Sequence, residues 1–118
     1  MIYLFFATVR TQPDERDCEK IAGLRDEAHA ALTVLDKHLK NRAYICGDEF
    51  TMGDIPLGCI VYRYFNINVD RPPLPHVQAW YERLSQRQAY QNHVMRFFGT
   101  NPEEWAALEK ACASEGVI

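Results

Sequence analysis

At 118 residues, with 47% apolar and 25% charged side chains, the chain has the size and composition of one globular domain. Its 13 basic and 16 acidic residues leave a formal charge of −3 with no block of like sign. That balance argues against a nucleic-acid partner and against an anionic membrane surface. The cysteines Cys18, Cys46, Cys59 and Cys112 are far apart and form no Cys-x-x-Cys pair, so reduced thiols in a cytoplasm are expected. The apolar start at Met1 lacks a basic segment and a cleavage site, and it falls short of the roughly 20 residues that span a bilayer.

In chain order, Ile2, Phe5, Phe6 and Val9 stand at helical spacing, which predicts a helix within residues 1–11. It opens without a cap, as a continuation of a longer element would. Pro13 marks a loop. Asp17 is placed to cap a second helix, whose Ile21, Leu24, Ala28, Leu32, Leu35 and Leu39 form one apolar stripe. Asp26, Lys37 and Lys40 fall on its other side, and the helix ends before Gly47.

The segment from Cys46 to Asn66 organises the chain. Thr51 precedes Asp54 by three residues, the spacing of a capping box in which the Thr oxygen accepts from a first-turn amide. The Asp54 carboxylate then reaches back to the Thr51 amide. Phe50 and Ile55 are placed to close a hydrophobic staple. The helix that follows is apolar almost all round and belongs in a core, with Cys59 as a small core residue. Pro56 removes an amide, so a tightened first turn or a modest kink is expected. Gly58 permits another helix to approach closely. Arg63, on this mainly apolar helix, must pair with a carboxylate, snorkel or face a cavity.

A proline-rich connector leads to a helix opening at Pro75, with Val77, Trp80, Tyr81 and Leu84 on its apolar face. Ala89 to Phe97 suggests a further short helix, stopped by Gly99. Asn101, Pro102 and Glu104 open a last one, with Trp105 and Leu108 inward. No stretch alternates with period two. The prediction is an all-α bundle of five or six helices in a single domain over residues 1–118, packed around a buried central helix.

No catalytic constellation is visible. His29, His38, His76 and His93 lack metal-site spacing, and there is no glycine-rich phosphate loop. The spacing of Asp54 suits capping rather than acid–base work.

Several strings carry a resemblance. Leu35-Asp36-x-x-Leu39, Tyr44-x-x-Gly47-Asp48-x-Phe50-Thr51-Met52-Gly53-Asp54-Ile55 and Leu74-Pro75-x-Val77-x-x-Trp80-x-x-Arg83-Leu84 resemble the C-terminal helical domain of cytosolic glutathione transferases. The run Asp54-Ile-Pro-Leu-Gly58 and the run Arg71-Pro-Pro-Leu-Pro-His76 are similar to a bacterial subgroup. Gln88 stands where the family often has proline.

The resemblance implies a truncated enzyme. Family members begin with a thioredoxin-like domain that activates glutathione, and nothing in this sequence matches it. The implied role is the substrate-binding and dimerisation half, offering an apolar electrophile site without glutathione-activating residues. Tyr3, Phe6 and Arg63 are the expected groove residues. No cofactor or metal is implied, and glutathione would serve as co-substrate only together with a thioredoxin-like domain. The implied partners are a second copy or such a domain, with an apolar small molecule as ligand. Ile2, Tyr3, Phe5 and Phe6 would then be left partly bare. A non-catalytic interaction module of the same fold is the alternative.

Overall fold

The computed structural model describes residues 1–116. Among them are six α-helices and no strand: α1 Ile2–Thr8, α2 Cys18–His38, α3 Asp54–Asn66, α4 Pro75–Ser85, α5 Gln88–His93 and α6 Pro102–Ser114. Single 3₁₀ turns lie at Pro13–Glu15 and Leu39–Asn41. The all-α architecture read from the sequence is the one present.

Side-chain caps start two helices locally. Asp17 accepts from the Lys20 amide at 3.0 Å and opens α2. At α6, Asn101 Oδ1 accepts from the Glu104 amide at 2.9 Å while Glu104 Oε2 accepts from the Thr100 amide at 2.8 Å, a reciprocal box. That backbone amide, followed by the Thr100 hydroxyl, holds the Glu104 carboxyl below the usual carboxylate range.

The start of α4 is capped from a distant part of the chain. Asp36 Oδ1, near the end of α2, accepts from the His76 amide at 2.8 Å and the Val77 amide at 2.9 Å. With proline at its first position, α4 has one orphan donor fewer, and Asp36 takes two of the rest.

Helix α4 packs against α2, α3 and α5, and α2 packs against α1. Its Val77, Trp80 and Leu84 are at most 1% exposed and meet Val61 and Tyr64 of α3 in one apolar core. Gly58 sits where α3 meets this face, since a Cβ there would lie 3.0 Å from Leu84 and 3.3 Å from Tyr90.

The Cα trace fills a slab of 42 × 38 × 16 Å. A thickness of 16 Å holds about two layers of helices, so the outer faces remain uncovered. Ile2, Tyr3, Phe6, Ile55 and Ile60 are accordingly 39–71% exposed.

Several expectations are corrected here. Phe5, expected to be bare, is 3% exposed because it turns inward beside Phe98. Cys59 is exposed rather than in the core, because α3 buries only the face carrying Gly58, Val61, Tyr62 and Tyr64. Pro56 is the third residue of α3, where its missing amide leaves no intrahelical bond unmade. The turn ahead of it is tightened, with amide-to-carbonyl bonds three residues apart from Asp54 to Thr51 and from Ile55 to Met52.

Candidate functional site

Asp54 anchors the start of α3. Its carboxylate is 1% exposed and accepts from three donors: the Thr51 amide at 2.9 Å, the Ile45 amide at 3.0 Å and the Trp80 indole at 2.8 Å. Thr51 Oγ1 accepts from the Gly53 amide at 3.3 Å, one residue short of the amide a full box would use. Phe50 is half-buried and Ile55 is 53% exposed. Both line a small apolar cleft of about 360 Å³, where the Arg87 guanidinium lies 3.7 Å from the Phe50 ring centroid.

A second, larger cleft of about 480 Å³ opens between α3 and the C-terminal segment. Tyr62 and Arg63 form its α3 wall, Phe97 and Phe98 come from the loop after α5, and Trp105 and Leu108 from α6. Phe98 pins the loop, with edge contacts to Phe5 at 5.4 Å and to Tyr62 at 5.9 Å. Burial, with Tyr81 adding to it, pushes the Tyr62 hydroxyl above its ordinary pKa, so Tyr62 is a neutral wall at physiological pH.

Arg63 meets no carboxylate among the described residues. Its guanidinium lies 4.8 Å from the Phe5 ring centroid and borders the cleft. A similar contact joins α1 to α6, because Arg10 sits between Phe6 at 4.9 Å and Trp105 at 4.0 Å. Phe6 therefore adjoins the cleft through Arg10, while Tyr3, one turn earlier, is 71% exposed. Thr51 and Asp54 lie elsewhere and hold α3 in place.

The pattern missed Phe97 and Phe98 as parts of this site, and Arg10 as the link from Phe6 to its Trp105 wall. Phe97 and Phe98 gave a signal in their position just before Gly99, whose φ of +82° turns the chain back toward α3. Among the described residues no three His, Cys, Asp or Glu side chains converge to hold a metal ion. Nor is any helix among the described residues long and apolar enough to cross a membrane.

Comparisons with known proteins agree with this architecture. The model of the glutathione S-transferase C-terminal domain matches residues 19–83. A glutathione S-transferase of Escherichia coli, GstB, is 36% identical over 92 residues, which are 78% of this chain and 44% of that protein. Glutathione S-transferase 3 of Zea mays is 33% identical over 70% of the chain and 37% of its own length. The structure superposes with a TM-score of 0.79 on a theta class glutathione S-transferase of Xanthomonas axonopodis pv. citri, solved with glutathione bound. The identity there is 44%, covering 81% of this chain and 50% of that one. The chain thus spans about half the length of the relatives it matches. By sequence and by fold, it belongs to the glutathione S-transferase family and carries that family's C-terminal helical domain.

Proposed function

We propose that the chain supplies the electrophile-binding half of a cytoplasmic glutathione transferase. The observation that carries this reading is the cleft between α3 and α6, where aromatic walls meet the guanidinium of Arg63. Aromatic rings bind planar apolar ligands by stacking, and a guanidinium at the rim favours ligands with electron-rich or anionic substituents. Arg63 borders the groove directly. In this reading Phe6, which reaches the Trp105 wall through Arg10, and Tyr3, exposed one turn earlier on α1, serve the same ligand.

Conjugation further requires the glutathione thiol to be held as a thiolate beside the electrophile. In this reading a thioredoxin-like domain provides that half, and glutathione enters as co-substrate with it. The apolar row on α1 would serve association, with a second copy or with such a domain.

The test has two arms. Titration with an apolar fluorescent dye should show weak saturable binding, reduced by Arg63→Ala and competed by a glutathione–arene conjugate. Initial rates with glutathione and an aromatic electrophile should match the uncatalysed rate for the chain alone and rise when a thioredoxin-like domain is added. Turnover by the chain alone, or a dye that ignores Arg63→Ala, would refute the assignment.

A further inference from the structure

Two of the four cysteines share the larger cleft. Cys59 lies on its α3 wall and Cys112 on its α6 wall, facing the same space as Trp105 and Phe97. Arg96 Nη2 donates to Cys112 Sγ at 3.6 Å and thereby fixes where that sulfur sits. Arg96 is itself held from the other side by Glu115 at 3.6 Å. Neither thiol is in a disulfide. The cleft thus combines a stacking surface, two guanidiniums and two nucleophilic sulfurs.

We infer that this cleft is a covalent capture site, in which Cys112, and secondarily Cys59, is arylated by planar electron-poor electrophiles without glutathione. This inference rests on the reading of the cleft as an electrophile site. The ligand class is an activated aryl halide or a comparable planar electrophile. The thiol first gives its proton to solvent. A sulfur lone pair then forms the carbon–sulfur bond, and the halide leaves with the electron pair of the carbon–halogen bond. Arg63 and Arg96 border the space in which negative charge builds on the ring during addition. Stacking on Trp105 and Phe97 raises the local concentration of arene beside the sulfur.

Exposure alone predicts the opposite order of reactivity. Cys18, Cys46 and Cys59 are exposed, and Cys112 is only half-buried. A preference for Cys112 would therefore report the cleft and not accessibility.

The experiment uses the full chain with chlorodinitrobenzene and no glutathione, followed by peptide mapping by mass spectrometry. Cys112 should be labelled about tenfold faster than Cys46, a factor equivalent to about 1.4 kcal/mol and near the upper end of what one aromatic contact supplies. Trp105→Ala should remove that preference while leaving the Cys46 rate unchanged. Labelling led by Cys18 or Cys46, or indifferent to Trp105→Ala, would overturn the inference. A dye titration of the same unsubstituted chain separates the two readings. Dye binding without cysteine preference sinks covalent capture alone, whereas loss of both sinks the electrophile cleft as well.

Discussion

The indole Nε1 of Trp80 on α4 donates to Asp54 Oδ1 on α3 at 2.8 Å, with both residues at most 1% exposed. Asp54 therefore joins three pieces of chain: the turn that starts α3, the turn at Ile45 in the preceding loop and the core helix α4. A carboxylate removed from water is tolerated when its lone pairs are met by donors, and here three are aimed at it. Asp54→Ala should lower stability by about 3 kcal/mol, more than the roughly 1 kcal/mol of a lost cap, because a buried indole N–H is also left unpaired. The denaturation midpoint measures this. A double-mutant cycle with Trp80→Phe should return a coupling of about 1–2 kcal/mol. A loss no larger than that of a cap would mean that the indole bond contributes nothing.

Asp36 makes a comparable link with less burial. Removing its side chain leaves the His76 and Val77 amides without their acceptor at the start of α4. Asp36→Ala should destabilise by about 1–2 kcal/mol, and Asp36→Asn, which keeps an acceptor oxygen, by clearly less. Equal losses for the two variants would point to the charge instead of the hydrogen bonds.

Gly58→Ala opposes two effects. Alanine gains about 1 kcal/mol of helix propensity over glycine. Its methyl, however, would stand 3.0 Å from Leu84 Cδ1, a side chain 1% exposed and unable to move away. It would also press on Tyr90, whose hydroxyl donates to the Gly58 carbonyl at 2.8 Å. Overpacking of this kind costs roughly 1–3 kcal/mol, so a net loss of about 1 kcal/mol is expected in thermal or chemical denaturation. A stabilised variant would show that α4 and α5 can shift outward freely.

Burial raises the hydroxyl pKa of Tyr62, Tyr64 and Tyr90 above the ordinary tyrosine value of 10.0, most strongly for Tyr90. A raised folded-state pKa means that the neutral form is favoured by folding. The associated stability is complete below the unfolded pKa of about 10 and is lost as pH rises beyond it. The denaturation midpoint should fall steeply above pH 10, and Tyr90→Phe should flatten that fall. An identical alkaline profile in the two proteins would exclude Tyr90 as the cause.

The sequence by itself determined the helices and most of their starts. Asp17, Pro75 and Asn101 act within a few residues of the backbone they organise, so their effects are legible from spacing. The stripe Ile21 to Leu39 likewise fixes which side of α2 turns inward. The partial box at Thr51 and Asp54 was visible for the same reason, but the Trp80 and Ile45 donors were not, because they approach from outside the segment. Only the tertiary structure decided that Asp36 caps α4 from 40 residues away, and that α3 leaves Cys59 and Ile60 uncovered. A helix apolar all round could be buried on every side only if enough neighbours surrounded it, and a slab 16 Å thick supplies them on one side. The cleft followed the same rule: Arg63 was recognisable as a charge needing an explanation, while its place beside Phe5 and opposite Cys112 depended on how α1 and α6 pack against α3.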